Sequence, residues 1–537
     1  MDAADVYIQP PNDQAESEQD SGEEDEGGTY NNLSGGQLAA PVEVSIVRHG
    51  HNEQLMESVS ADESDSEPEV ERPTQPKSPF IKRTKTTQPM RQWERSDLSE
   101  ATMNANCKQL LGPPFWDCRF VSRVAVGLKA DKLETRFLVI SKFRLFILTG
   151  RFVSKLQLET SYHLLQFSSL EATTPIDVVG GLDNRKLHIR LTEEGCDSLH
   201  LIKHILGSVK HYFPDAEPRH LVNLTPTSLY SDYSCLPLSR PDLPCRNFRR
   251  TYAALCDYHK CPYREEVVWD IEKIYATHDC RTLRLEDFDH LAPKDMVPIV
   301  HVLQFSSFFI GFRVDNKVPT IKFTNEIIDC LISVLKRNQS LKQISISNAN
   351  VKPDFLYLIG QSICVNQAIP LEEVTLVGNC FDDNKVWSSF GSSLTHLSQG
   401  LIKLDLQSSS LNSKSVNNMF VALSRHEPTL RALTTLRLGQ NHFKDDVTEL
   451  FTFISQCSKL QELDLSDTGV CTEKLWGALL HDCLGSISIL NLSGCTFAHK
   501  KTKDLTIPGS VKTLMASAPS LSVIDISNCH FPPEAIK

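Results

Sequence analysis

Several signatures are missing from this 537-residue chain, and each absence removes a class of function. No run of about 18 apolar residues is present, so no transmembrane helix is expected. The opening Met1-Asp-Ala-Ala-Asp5 has neither the basic n-region nor the apolar h-region of a secretory signal. The 16 cysteines follow no paired framework. Together these predict an intracellular, reduced protein. There is no Gly-Lys pair, hence no phosphate-cradling Walker loop, and no His-Glu-x-x-His, Gly-x-Ser-x-Gly elbow or kinase set. Cys256 and Cys261 flank His259, but Cys-x4-Cys without a second spaced pair does not supply a tetrahedral zinc site. No catalytic residue, cofactor or metal is expected, and the chain reads as a non-enzyme.

Charge is present but unevenly spread. The formal net of -12 hides a leader in which residues 1–70 hold 18 acidic groups against the single Arg48. The other 467 residues carry 54 basic and 49 acidic groups. Residues 1–117 are poor in apolar content, too poor to offset chain entropy, and are expected to form a disordered acidic leader. Within it, Asp62-Glu-Ser-Asp-Ser66-Glu67 suits an acid-directed kinase, and Lys82-Arg-Thr-Lys85 is a short basic cluster. Leu33-Ser-Gly-Gly-Gln37 spells an ATP-binding-cassette signature, but without a Walker loop it carries no nucleotide chemistry. Asp5-Val-Tyr-Ile-Gln-Pro-Pro11, Asn31-Asn-Leu-Ser34 and Trp93-Glu-Arg-Ser-Asp97 resemble the N-terminal region of piggyBac-type transposase-derived proteins. That likeness covers under a fifth of the chain and brings none of the transposase carboxylates.

From Arg119 the texture turns β-rich, with strands expected at 120–126, 135–140, 144–148, 163–167 and 186–191. A helix is expected at 196–212, with Leu199, Ile202, Ile205, Leu206 and Val209 as its apolar stripe. Residues 118–213 therefore resemble a pleckstrin-homology domain, a β-barrel plus one helix, although this helix has no Trp. Eight basic residues lie between Arg119 and Arg151 against only Asp131 and Glu134. Lys129, Lys132, Arg136, Lys142, Arg144 and Arg151 are the candidate contacts to acidic membrane phospholipids. Each cation near an anionic leaflet contributes on the order of 1 kcal/mol.

Six prolines between 214 and 248 predict a linker. Residues 249–279 follow as a helical N-terminal cap, with Val268, Ile271 and Ile274 on one side. Residues 280–537 then repeat one phrase, as in Leu371-Glu-Glu-Val374-Thr-Leu376-Val-Gly-Asn379-Cys-Phe381 and Leu401-Ile-Lys-Leu404-Asp-Leu406-Gln-Ser-Ser409-Ser-Leu411. Apolar offsets 4 and 6 leave one face of a short strand. A strand every 27–34 residues with a helix between is the pattern of an α/β leucine-rich-repeat solenoid, the ribonuclease-inhibitor-like horseshoe. Offset 9 holds Asn379, Ser409, Asn441, Thr468, Cys495 and Cys529, expected to bond neighbouring backbone. Offset 5 places Arg284, Arg313, Ser345, Thr375, Asp405, Arg437, Asp464, Asn491 and Asp525 on the concave surface as a candidate protein-binding face.

The cap carries a further signal. Tyr263-Arg-Glu-Glu-Val-Val-Trp269-Asp-Ile-Glu-Lys-Ile-Tyr275 and Asp279-Cys-Arg-Thr-Leu283-Arg-Leu285-Glu-Asp-Phe288 resemble the capping module of the CARMIL family. Members of that family link capping protein, the actin-nucleating Arp complex and myosin I. The likeness extends over about 118–537 in family order. It implies a membrane-associated scaffold that regulates barbed-end capping and branched actin assembly in lamellipodia and cell migration. Its location would be the cytoplasm, the cytoskeleton and the inner face of the plasma membrane at the leading edge. The family's capping-protein and myosin contacts lie in a C-terminal region expected to be missing here, since the chain stops at Lys537 inside a repeat. What remains would contact acidic lipids and an unidentified protein on the concave face, and no nucleic acid. The alternative is a leucine-rich-repeat adaptor with a lipid-binding domain, not tied to actin.

Overall fold

The computed structural model describes residues 5–8, 44–47, 100–112, 118–150, 156–193, 196–236, 244–316, 322–443, 446–497 and 509–529. Arg151, the leader motifs at 33–37, 62–67 and 82–85, and the transposase-like stretches beyond Ile8 lie outside them. The chain divides into two units, 1–87 and 88–537. In the first, strand β1 (Asp5–Ile8) pairs antiparallel with β2 (Val44–Val47).

The second unit begins with a helix, Glu100–Leu111, inside the stretch expected to be without structure. Its fully buried Cys107 packs on Phe137, Val139, Phe146 and Leu148. The reason lies in the sheet it covers. Strands β3 (Cys118–Gly127), β4 (Glu134–Ser141) and β5 (Arg144–Thr149) form an antiparallel meander. β4 is buried on both faces from Phe137 to Ser141, and a sheet apolar on both sides needs a cover on each. The Ser198–Tyr212 helix covers the other face with Leu201, Ile202, Ile205, Leu206 and Val209. Leu199, expected in that stripe, is exposed instead.

Three more strands follow: β6 (Gln157–His163), β7 (Phe167–Ala172) and β8 (Asp177–Leu182), with β9 (Arg185–Leu191) returning to pair with β3. The strand expected at 163–167 is instead a junction. His163 ends β6 and caps a 3-10 turn, Leu164–Gln166, where its Nδ1 accepts from the Leu165 N–H and the Gln166 Oε1 accepts from the His163 N–H. β7 and β8 escaped the sequence reading because Ser168, Ser169, Gly180 and Gly181 break their apolar pattern. Gly180 is required by contact, since a Cβ there would lie 2.7 Å from the Phe167 ring.

The expected closed barrel is not formed. The sheet is open, in the order β10-β7-β8-β9-β3-β4-β5-β6, where β10 is Asn223–Thr225. Closure would need the free edge of β7, and β10 occupies that edge in parallel. β10 comes from the Pro-rich linker, which also forms short helices at Pro218–Leu221 and Leu229–Cys235. Lys210 Nζ ties this segment down by donating to the carbonyls of Tyr233 (2.9 Å), Ser234 (3.1 Å) and Leu236 (2.5 Å).

The cap consists of a helix, Phe248–His259, and a second helix, Glu265–Trp269, that widens into a π turn at Asp270–Tyr275. The extra residue per turn shifts the stripe. Val268 and Ile271 remain buried, but Tyr275 turns inward and Ile274 is left 44% exposed. Tyr275 Oη then donates to Asp287 Oδ2 (2.6 Å) and accepts from the Arg284 N–H (3.1 Å), fastening the cap to the first repeat.

Nine parallel strands complete the unit: β11 (Thr282–Arg284), β12 (Gly311–Asp315), β13 (Gln343–Ser347), β14 (Glu373–Thr375), β15 (Lys403–Asp405), β16 (Thr435–Arg437), β17 (Glu462–Asp464), β18 (Ile489–Asn491) and β19 (Val523–Asp525). Between them the offset-9 residues are buried and fully engaged. Asn379 Nδ2 donates to the Ile346, Leu376 and Val377 carbonyls, and its Oδ1 accepts from the Ala349 N–H. Asn441 repeats the pattern, bonding five backbone groups. Ser409 Oγ, Cys495 Sγ and Cys529 Sγ each reach the preceding repeat's carbonyl, at Leu376, Leu465 and Leu492. None of the 16 cysteines is joined in a disulfide.

Sheet domain, cap and repeats share one continuous core. Across the junction, Thr251 Oγ1 donates to the Tyr212 carbonyl (2.7 Å) and Asn247 Nδ2 to the His211 carbonyl (3.1 Å). His163 Nε2 contacts the Ala254 carbonyl (3.0 Å), and Phe213 packs on Phe305. Burial, with the Arg144 charge added, lowers the pKa of His163 from 6.5 to about 3. Burial, with His259 added, does the same to His301.

Two outcomes are expected. Asn441→Ala would orphan several buried backbone groups and lower stability by about 3 kcal/mol in urea denaturation, against about 1 kcal/mol for Ser409→Ala. Because an unfolded chain protonates its histidines first, the contribution of these two rings is present above pH 6.5 and is lost as pH falls from 6.5 toward 3. By pH 5 each of His163 and His301 accounts for about 2 kcal/mol of that loss, and His163→Gln should flatten the urea-midpoint profile between pH 7 and 5.

Candidate functional site

Of the six cations expected to meet lipid, the five within the described residues do not form one patch. Lys129 and Lys132 stand exposed in the β3–β4 turn, beside Leu128, which is 48% exposed. Arg136 faces the same hollow, of about 530 Å3, but is ion-paired to Glu134 (2.5 Å) and to Glu159. Hydrogen bonding to Glu159 raises its pKa above the ordinary arginine value. Lys142 sits half-buried in the β4–β5 turn at a left-handed φ of 50°.

Arg144 points the other way. Its Nε lies 2.5 Å from Asp257 Oδ2 on the cap helix and its Nη1 3.0 Å from Ser161 Oγ. Burial raises the Asp257 pKa, while the Arg144 charge works against that rise. Arg144 is thus part of the junction rather than of a membrane-facing surface. Arg151 lies outside the described residues. Arg185, the first residue of β9, lines the hollow with Lys129 and Lys132. The sequence reading missed it because it lies over fifty residues away, and only the β3–β9 pairing brings it near.

The offset-5 residues form one unbroken row across the sheet. Arg284 pairs with Arg313, Arg313 with Ser345, Ser345 with Thr375, and Thr375 with Asp405. Asp405 continues to Arg437, then Asp464, Asn491 and Asp525. Much of the row is occupied internally. Arg313 contacts Glu286 (3.0 Å) and Asp315 (3.1 Å). Arg437 contacts Glu462 (2.7 Å) and Asp405 (3.6 Å), and Gln407 Nε2 donates to Asp464 Oδ2 (2.8 Å).

The acidic positions also have a local duty. Asp405, Asp464, Asn491 and Asp525 each accept from the backbone N–H two residues on, at Gln407, Ser466, Ser493 and Ser527. These are Asx turns that end the strand. Asp405, only 4% exposed, has its pKa raised by burial. The acidic bias of the later repeats therefore contains a folding signal as well as any recognition surface. Among the described residues no group of three or more potential metal ligands is assembled, and no helix is long and apolar enough to cross a membrane.

Comparison with known proteins follows the same division. Residues 118–214 match the model described as "Carmil pleckstrin homology domain", and residues 245–537 match "CARMIL family, LRR domain". "Capping protein, Arp2/3 and myosin-I linker protein 3" of Rattus norvegicus is 27% identical over 428 residues, covering 77% of this chain and 30% of that protein. The Homo sapiens protein of the same name is 27% identical over 427 residues with the same coverage. "Rho GTPase-activating protein gacW" of Dictyostelium discoideum is 24% identical over 423 residues, 78% of this chain and 36% of that protein. The chain thus spans about a third of the length of these relatives.

The Arg144–Asp257 contact yields a direct test. Asp257→Ala strands a largely buried guanidinium and is expected to lower stability by about 2 kcal/mol in urea unfolding. Glu134→Ala, which removes an exposed partner of Arg136, should cost less than about 0.5 kcal/mol.

Proposed function

This chain belongs to the CARMIL family, and from that premise we propose that it serves as a non-enzymatic, membrane-proximal scaffold regulating actin filament assembly. In this reading the sheet domain faces acidic phospholipids at the inner surface of the plasma membrane, in lamellipodia of migrating cells. The repeat array offers its strand face to a protein partner. Capping protein, the Arp complex and myosin I, named in the relatives, are partners of the scaffold as a whole and are assigned to no residue of this chain. Residues 118–213 act as the lipid module, 214–248 as its fastening, 249–279 as the cap and 280–537 as the platform, with 1–117 preceding them.

One observation carries the lipid part: Lys129, Lys132 and Arg185 converge on one rim beside the exposed Leu128. Exposed cations around an apolar tip match an anionic interface, where charge attracts and the apolar residue inserts. On the strand face, Arg284, Thr375, Asn491 and Asp525 retain exposed or half-exposed side chains for a partner, flanking the internally paired centre. The likeness to a Rho GTPase-activating protein favours one second reading, a repeat adaptor with a lipid-binding domain not tied to actin.

Co-sedimentation of the whole chain with phosphatidylserine vesicles tests the lipid assignment. Binding should weaken with salt, and Lys129→Glu with Lys132→Glu should lower it at least tenfold. Vesicle binding indifferent to both changes would remove the β3–β4 turn from the membrane contact.

A further inference from the structure

A second cleft, of about 720 Å3, opens between the sheet domain and the helix side of the first repeats. One wall is the Leu164–Gln166 turn with Asp183 of the β8–β9 turn, and the linker forms the rim. The opposite wall is the C-terminal ends of three successive repeat helices, Pro293–Val302, Asn325–Leu335 and Pro353–Val365. The lipid rim at Lys129 belongs to a different hollow.

Its chemistry is dominated by donors. Arg219, Lys336 and Arg337 line it, against the single carboxylate of Asp183. Among the described residues none of the three cations forms an ion pair with a carboxylate. Arg219 Cζ lies 5.4 Å from the centroid of the Tyr230 ring, a cation–π contact on the cleft rim. A smaller adjoining hollow shares Arg337 and adds Asp215 and Glu217. There Asp215 Oδ2 already accepts from Ser307 N (2.9 Å) and Oγ (2.7 Å), and its Oδ1 lies 3.4 Å from Arg246.

The simplest use of cations at helix C-termini is to satisfy the last carbonyls. Here asparagine side chains already serve three of the carbonyls at those ends. Asn338 Nδ2 donates to the Leu303 carbonyl (2.5 Å), and Asn366 Nδ2 donates to those of Leu335 (2.8 Å) and Asn338 (2.7 Å). Lys336 and Arg337 are left over.

A partly buried relay adds neutral donors. His259 Nε2 lies 2.8 Å from His301 Nδ1, and His301 Nε2 lies 3.3 Å from Gln304 Oε1. With both rings neutral, one consistent pattern has His259 donating to His301 and His301 to Gln304. That uses the oxygen of Gln304 and leaves its NH2, in the cleft lining, as a donor. Gln166 is held in the same sense, because its Oε1 accepts from the His163 N–H.

Three unpaired cations and two oriented amides around a cavity of small-molecule size suit clustered phosphates, which guanidinium forks bind in bidentate fashion. We propose that this cleft binds a small polyphosphorylated ligand of the inositol polyphosphate class, free or as a phosphoinositide headgroup. Because its walls come from both domains, the ligand would bridge them.

Calorimetric titration of the whole chain with inositol hexakisphosphate at 0.1 M salt is the test. Arg337→Glu combined with Lys336→Glu should weaken binding at least tenfold, whereas Lys129→Glu with Lys132→Glu should change it less than twofold. Arg219→Glu, on an exposed rim position, provides an independent second variant. Vesicles containing phosphatidylinositol bisphosphate distinguish the two sources. Sedimentation reduced by the cleft variants identifies the headgroup, and unchanged sedimentation with lost hexakisphosphate binding identifies a soluble ligand. No titration heat, or equal affinity in the wild type and both cleft variants, overturns the proposal.

Discussion

The interaction on which the rest of this unit depends is the burial of the cap helix Phe248–His259 against the end of the sheet domain. Phe248, Tyr252, Leu255 and Cys256 are buried in the same core as Tyr212, which ends the Ser198–Tyr212 helix, and Phe213, which follows it. Polar groups at the seam are matched across it, with Thr251 and Asn247 meeting the carbonyls at which the sheet domain's helix ends. A polar group buried without a partner costs about 1–3 kcal/mol. Separating the two domains would therefore expose apolar surface and strand donors at once. The seam makes one body from what composition alone would divide into a lipid module, a linker and a repeat array.

That constraint redistributes the functional residues. Arg144 lies on the same hairpin as Lys142, yet it is spent on Asp257 of the cap. The Pro-rich segment becomes the edge strand β10, and by taking the edge of β7 it keeps the sheet open. The same segment places Arg219 opposite Lys336 and Arg337 across the inter-domain cleft. The lipid rim and the cleft therefore have different origins. One is built within a single hairpin and its neighbour, while the other exists only because two domains are held in register.

The repeats were the most legible part of the chain. Their apolar offsets 4 and 6 and their buried Asn, Ser, Thr or Cys recur with a period set by the unit itself, and each contact is made to an adjacent copy. Nine strands in the register of the offset-5 row follow directly from that pattern. β7 and β8 were hidden because their serines and glycines serve contacts with one another, as Gly180 does against Phe167. The Glu100–Leu111 helix was hidden because its reason for folding lies in another element, the doubly apolar β4. Ile274 misled because one π turn changes the phase of a helix without changing its composition.

By itself, then, the sequence determined what depends on local period: the solenoid, its strand phase, the cap helices and the basic bias of the first hairpins. Tertiary structure alone decided which of those cations are free. A guanidinium's availability depends on which carboxylate lies within a few ångströms, and Asp257, Glu159 and Glu286 reach their arginines by routes that spacing along the chain does not encode. It also decided that the sheet stays open and that a basic cleft exists between the domains. Both features arise from surfaces meeting after each element has formed.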